Sequence, residues 1–239
     1  MTKFQCAVSA DLLARAFLVV STEESRFYLR GVYVAPCGQG GVTLVATDGH
    51  SLLAFRDPLG FANFGAIVSA DPTIRKALAA ASKDKRERHV YVAKEGKAAV
   101  YWGEDAGTDF NKSKAALDGA FAVLGDLSAG NVTARQFRDT EIDGSFPDWK
   151  RVIPSGASAA VGLGCLDAKK LAVLANALCD AKNSAVIVTA DAQDTDDKSA
   201  RGAMLVKPGV ASARDGFGLL MPIRHLADGR DAVPTWARS

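Results

Sequence analysis

Residues 27–56 read FYLRGVYVAPCGQGGVTLVATDGHSLLAFR. Two apolar-rich runs, 28–35 and 42–46, flank the turn Cys37-Gly38-Gln39-Gly40-Gly41, and a third run, 52–55, follows Thr47-Asp48-Gly49-His50. Short apolar runs punctuated by Gly-rich and Asp-Gly turns predict an antiparallel meander. The Gly38-Gln39-Gly40-Gly41 cluster lies between two such runs, so it reads as a hairpin turn and not as a phosphate loop.

Outward from this stretch the chain repeats itself. Val8-Ser9-Ala10-Asp11 precedes LLARAFLVV, Val68-Ser69-Ala70-Asp71 precedes PTIRKALAAA, and Cys165-Leu166-Asp167 precedes AKKLAVLANAL. Each is an apolar lead-in, a capping residue and a helical pattern. Ser9, Asp71 (with Pro72 at the first helical position) and Asp167 are the candidate N-caps. Strand-like runs follow each helix: 27–35, 42–47 and 52–56, then 89–93 and 98–102, then 185–190, 203–206 and 217–221. The unit is β-α-β-β-β. The helices carry apolar stripes, Leu12, Leu13, Ala16 and Phe17 in the first, Ile74, Leu78 and Ala81 in the second, and Leu171, Leu174, Ala175 and Leu178 in the third. Amphipathic helices laid on antiparallel sheets predict an α+β layer architecture. The segment 104–140 reads as an exposed loop holding some strand, 155–159 as a linker and 191–198 as an acidic polar loop.

The 239 residues can bury a sizeable core in one to three domains. No apolar run has the length of a membrane span, and the first residues lack the apolar core of a signal peptide, so the expectation is a cytoplasmic protein without membrane contact. Cys6, Cys37, Cys165 and Cys179 are far apart, with neither zinc spacing nor a disulfide framework, and reduced thiols are expected. A net charge of +2 does not by itself call for nucleic acid. There is no GxSxG, Walker loop or GxGxxG after a strand, and Asp48 with His50 lack further metal ligands. An enzyme is therefore not expected, nor a cofactor or a metal.

Tyr28-Leu29-Arg30-Gly31 and Ala46-Thr47-Asp48-Gly49-His50-Ser51-Leu52, followed by Phe146-Pro147-Asp148-Trp149-Lys150-Arg151-Val152-Ile153-Pro154 and Leu220-Met221-Pro222-Ile223-Arg224, resemble in order the YLxG, ATDGH-x-L, FPDYRRVxP and VMPMR segments of the bacterial DNA polymerase III β subunit, the sliding-clamp family. The resemblance is to a shortened form: the second domain plus the last half of the third. It implies the DNA-clamp fold, repeated β-α-β-β-β units with helices packed on antiparallel sheets, and the division 1–154 (units 1–60 and 61–154), 155–226 and a tail at 227–239. It implies a processivity factor that encircles or lies along duplex DNA, independently of sequence, and tethers DNA polymerase and clamp-loader-type proteins through short linear motifs. The alternative is a clamp-derived interaction module that binds such peptides without encircling DNA.

Carried onto this chain, the family's peptide pocket falls on Leu29, Thr47, Gly49, His50, Leu52, Pro147, Arg151, Val152, Leu219, Met221, Pro222 and Arg224. Apolar residues would supply burial and a few polar groups orientation. Residue by residue, Leu29, Val152 and Leu219 also suit the core of any sheet. The DNA candidates are Arg15, Arg26, Tyr28, Arg75, Lys76, Lys83, Lys169 and Lys170, whose contacts would be to phosphates; the plainer reading of each is a solvated helix face. Two departures stand out. Ser51 replaces the Arg that the family commonly has after ATDGH, which removes a cationic stem from one pocket wall. Trp149 replaces a Tyr, which adds an anchor-type aromatic. Three units imply an oligomer if a ring is to close, and four copies would supply as many units as the family's ring holds.

Overall fold

The structure, a computed structural model, describes residues 6–70, 72, 74, 75, 78, 88–92, 98–102, 141–153, 166–180, 185–189, 203–209 and 214–223. The expected loops at 104–140 and 191–198, the linker 155–159, the boundary at 154–155, the tail 227–239, Lys76, Lys83, Asp71 and Arg224 lie outside the described residues.

In chain order the elements are β1 (Cys6–Ser9), α1 (Ala10–Ala16), β2 (Gly31–Pro36), β3 (Val42–Thr47), β4 (Ser51–Asp57), β5 (Phe61–Ala62), β6 (Ala66–Ser69), β7 (Arg88–Val92), β8 (Ala98–Trp102), β9 (Glu141–Ile142), α2 (Ala168–Leu178), β10 (Val186–Thr189), β11 (Met204–Pro208) and β12 (Asp215–Leu220). Pro72, Ile74, Arg75 and Leu78 are helical, where the second helix was expected. The first unit is β1-α1-β2-β3-β4, as the repeat predicts.

The strands form two antiparallel sheets. One has the order β5-β1-β7-β8, the other β10-β11-β12-β4-β3-β2-β6-β9. The larger sheet is continuous from the third unit to the first through six residue pairs between β4 and β12, Leu52 opposite Leu219 among them. Side chains alternate across this sheet as its pleat requires. One face carries Val32, Val34, Leu44, Ala46, Leu53, Phe55, Val206 and Leu220, and buries them against Leu12, Leu13, Ala16 and Phe17 of α1 and Leu174, Ala177 and Leu178 of α2. The other face carries Tyr33, Val45, Leu52, Ala54, Leu205, Phe217 and Leu219. Both helices therefore lie on one side, and the second apolar cluster lies on the opposite side.

The β2–β3 hairpin closes through Cys37 N–H to Gly41 O and Gly40 N–H to Cys37 O, each 3.0 Å. Gly40 and Gly41 have φ of 86° and 75°, in the left-handed region, and a Cβ on Gly41 would stand 2.1 Å from Asp57 O. The glycine-rich turn is thus required by backbone geometry.

Two local expectations are corrected. The run 27–35 does not begin as a strand: Glu24–Leu29 wind into a 3-10 turn, closed by Arg30 N–H to Phe27 O, and the strand starts at Gly31. The β-favouring aromatics yield to a turn tied down by Ser21, whose Oγ accepts Glu23 N–H at 3.1 Å and whose N–H meets Leu29 O at 2.9 Å. Ser9 occupies the N-cap position of α1 without a side-chain cap; its N–H instead donates to the buried Asp57 Oδ2 at 2.7 Å. Asp167 does cap α2, its Oδ1 accepting from the N–H groups of Lys169 and Lys170 at 2.9 and 3.2 Å.

Candidate functional site

The turn between β3 and β4 is built on Asp48. Its Oδ1 accepts His50 N–H at 2.9 Å, Ser51 N–H at 2.7 Å and Ser51 Oγ–H at 3.0 Å. Thr47 Oγ1 accepts Gly49 N–H at 3.0 Å and donates to Ser51 O at 2.7 Å. Gly49 has φ 88°, which a side-chain-free residue adopts without strain. Asp48 Oδ2 receives the ammonium of Lys170 from α2, so a helix of the third unit holds the turn of the first. Burial pushes the Asp48 carboxyl up, but the Lys170 hydrogen bond, the His50 and Ser51 N–H groups and the Lys170 charge outweigh it and hold the group below its usual range.

Ser51 is buried and turned into this network. Besides Lys170, a second cation reaches the turn from Arg26, whose Nη1 lies 2.5 Å from where a Cβ on Gly49 would stand. Arg26 also pairs with Glu23 at 3.3 Å.

Three segments meet here. Thr47 is paired with Leu52, Leu52 with Leu219, and Leu219 with Leu205, giving one row across β3, β4, β12 and β11. Met221 N–H donates to His50 O at 2.9 Å, which fixes the chain after β12 beside the turn. The third segment is a 3-10 turn, Trp149–Val152, whose Trp149 packs with Phe146 onto the Leu52–Leu219 cluster. Phe146 stacks on Tyr33 with centroids 5.1 Å apart and planes at 11°. Lys150 Nζ stands 6.0 Å from the Trp149 ring centre.

Leu52 and Leu219 are thus buried in the outer cluster, and Met221 and Val152 are exposed large apolar side chains, at 43% and 46%. Gly49, His50, Pro147 and Arg151 are exposed, Thr47 and Pro222 half-buried. Leu29 is buried at the end of its 3-10 turn and offers no surface. The pocket positions carried from the resemblance omit Tyr33, Phe146, Leu205 and Phe217; the period-2 alternation of β2, β11 and β12 is the signal that places Tyr33, Leu205 and Phe217 on this face, and Phe146 joins them by stacking on Tyr33.

The cationic candidates fare differently. Arg15 Nη1 donates to Asn176 O, Ala177 O and Cys179 O, all at 3.1 Å, so it caps the C-terminal end of α2. Arg15 also pairs with Asp11 at 3.0 Å and Asp180 at 3.7 Å, and Arg214 joins the same two carboxylates. Lys170 is committed to Asp48. Arg75 donates from Nε to Ala70 O at 2.9 Å, lies 5.5 Å from the Phe17 ring centre, and is lowered by burial. Tyr28 meets Phe27 edge-on at 5.7 Å. Lys169 is exposed on α2. Among the described residues no group of three or more His, Cys, Asp or Glu converges as metal ligands would, and no helix is long and apolar enough to cross a membrane.

No protein-family profile matches the chain. It is 30% identical over 148 residues to the β sliding clamp of Caulobacter vibrioides, a match that covers 60% of this chain and 32% of that protein. The chain thus spans about a third of the length of the relative it matches. In three dimensions it aligns with a DNA polymerase sliding clamp from Pseudomonas aeruginosa at TM-score 0.50 and 14% identity, covering 94% of this chain and 68% of that one. A DNA polymerase III β subunit from Borrelia burgdorferi, solved in complex with a natural product, aligns at TM-score 0.50 and 12% identity, over 94% and 64%. The two sheets with helices on one side are the clamp fold, and the chain resembles, over part of their length, the bacterial DNA polymerase III β subunits, the sliding clamps.

Proposed function

We propose that this chain is a non-enzymatic, clamp-like tether that takes short linear peptides of DNA polymerase and other replication proteins on the outer face of its large sheet. The observation that carries the reading is the junction at the Asp48 turn. Buried Leu52 and Leu219 floor it, exposed Met221 and Val152 stand on two of its segments, and Met221 is fixed to His50 by a backbone bond. Exposed Met beside aromatic and aliphatic side chains suits a site that accepts several peptides.

Of the two clamp-like readings, a peptide-binding module that does not encircle DNA gains support from the helices. Arg15, Lys170 and Arg75 are tied to carbonyls or carboxylates of the chain itself, which leaves Lys169 and Arg26, the latter paired with Glu23, as the more exposed cations among the described DNA candidates. Retention on circular but not linearised DNA would favour the encircling reading instead.

The test is fluorescence anisotropy with a labelled polymerase-tail peptide. Met221→Ala removes an exposed contact, so the fold should persist while affinity falls about tenfold, the effect of one moderate anchor. Unchanged affinity in the variant, or no binding by the unsubstituted chain, would remove the assigned pocket.

A further inference from the structure

The outer face of the large sheet changes character from row to row. Cross-strand partners put Tyr33, Val45, Ala54 and Phe217 in one row over β2, β3, β4 and β12. The β11–β12 register brings Lys207 level with Phe217, and Ile187 of β10 is the cross-strand partner of Lys207. Both point away from the helices, because their neighbours Val206, Val186 and Val188 turn to the core on the helix side. The next row, Ala35, Thr43, Arg56 and Asp215, is more polar and ends in an ion pair, Arg56 to Asp215 at 3.5 Å.

The solvated face of an antiparallel sheet ordinarily carries polar residues. In the row from Tyr33 to Ile187 every side chain but Lys207 is apolar. Phe146 and Trp149 cover the first unit's part of it: Phe146 stacks on Tyr33, and Val45 and Ala54 are buried. The third unit's part comes to the surface. Phe217 is half-buried, Lys207 is exposed, and Ile187 is 53% exposed. This surface continues the junction at Met221 through Leu219, which lies between Met221 and Phe217 on the same face. Of the charges on this face and on the Trp149–Val152 turn packed against it, Lys207, Lys150 and Arg151 outnumber Asp148, while Arg56 and Asp215 neutralise each other.

We propose that Phe217, Lys207 and Ile187 form a second subsite for the partner peptide, one that takes an acidic residue beside an aliphatic or aromatic one in the segment flanking the linear motif; this rests on the reading of the Met221 junction as a peptide site. The Lys207 ammonium meets the carboxylate, and Ile187 and Phe217, on either side of it, bury the apolar side chain. The cationic excess selects an acidic flank over a basic one. From Met221, Ile187 lies two strands across and four residues along the sheet. That is about 16 Å, which an extended chain spans in about five residues. A peptide that ends at the motif binds the junction alone, and one that continues in this direction gains the second contact.

The experiment compares, by fluorescence anisotropy on the full chain, a labelled polymerase-tail peptide with longer forms that add a Glu- and Leu-containing flank of about six residues at one end or the other. One flank should tighten binding about fivefold to tenfold, and the gain should shrink as salt rises. Lys207→Glu should abolish the gain while the short peptide binds as before. Ile187→Thr, which keeps a β-branched residue in the strand, should remove part of it. A flank with Gln for Glu should lose most of it. Binding of the short peptide with no gain from either flank overturns the subsite and leaves the junction standing, and a gain that survives Lys207→Glu overturns it equally. Failure of every peptide to bind removes junction and subsite together. A gain that vanishes as the chain's concentration rises gives the face to a second copy of this chain and also overturns the proposal. If Lys207→Glu alters the short peptide's affinity, the Gln flank on the unsubstituted chain decides: a gain equal to that of the Glu flank overturns it.

Discussion

Removing the Asp48 carboxylate should separate two roles that one side chain performs. Oδ1 organises the turn by accepting from His50 N–H, Ser51 N–H and Ser51 Oγ–H, while Oδ2 holds Lys170 of α2. Asp48→Asn keeps an acceptor for the turn and loses the ion pair. The pair is partly shielded, with side-chain exposures of 30% for Lys170 and 21% for Asp48, so the loss should be about 1 kcal/mol, at the upper end for surface pairs. Asp48→Ala also orphans the N–H and Oγ of Ser51, which is 6% exposed. A buried unsatisfied donor costs about 1–3 kcal/mol, so the total should reach about 3 kcal/mol. Urea denaturation of Asp48→Asn, Lys170→Met and the double variant completes a cycle in which Asp48 and Lys170 should couple by about 1 kcal/mol. The pH dependence has a definite sign. The folded carboxyl titrates below its unfolded value, so its contribution is full above the unfolded pKa of about 3.9 and is lost as pH falls through the folded value. The advantage of the unsubstituted chain over Asp48→Asn should therefore hold near neutrality and shrink in acid below that point. Equal costs for Asn and Ala, or a cost under about 1 kcal/mol for Ala, would refute the assignment of the turn to Oδ1.

Arg15→Ala should cost about 2 kcal/mol in the same assay, since three carbonyls at the end of α2 lose a charged donor, and Arg15→Lys should restore about half because an ammonium cannot fork in the same way. Gly41→Ala should cost more than about 2 kcal/mol, combining a left-handed φ with a Cβ 2.1 Å from Asp57 O, whereas Gly38→Ala, with nothing within 4 Å, should be close to neutral. Thermal melts of the pair separate the two. Alkylation by iodoacetamide, read by mass spectrometry over a pH series, should modify Cys37 before Cys179. The Gln39 backbone hydrogen bond lowers the first thiol, burial raises the second, and only the thiolate reacts.

Local features were legible because they are set by neighbours in sequence. Gly40 and Gly41 mark the hairpin, the apolar runs of β3 and β4 on either side of the Asp48-Gly49 turn mark the meander, Asp167 marks the start of α2, and the apolar stripes of α1 and α2 point to the core. The strand expected from residue 27 failed because Ser21, six residues away, ties the segment into a turn that side-chain propensity does not register. The pairings that make the site were not legible from periodicity. β4 meets β12, and β1 meets β7 across an exchange of leading strands, through backbone groups that every residue carries. The order of the ATDGH, FPDW and LMPI segments pointed to the junction only through resemblance to a family in which they converge.

The cations expose the same limit with a consequence for function. A lysine and an arginine on exposed helix turns read equally as solvated charges or as phosphate ligands, because sequence displays the charge and hides its partner. Here Lys170 finds Asp48 at 122 residues' separation, and Arg15 finds the carbonyls of Ala177 and Cys179 at 162 and 164. Both tie the first unit to the third at the seam where the two halves of the large sheet join. These charges already join units: a phosphate at Lys170 would have to share its ammonium with Asp48, whose turn also positions Met221 through His50. The helix side and the outer apolar face are therefore mechanically connected through one carboxylate. A DNA-holding role that used Lys170 would therefore act on the same carboxylate that shapes the turn beside the proposed peptide face.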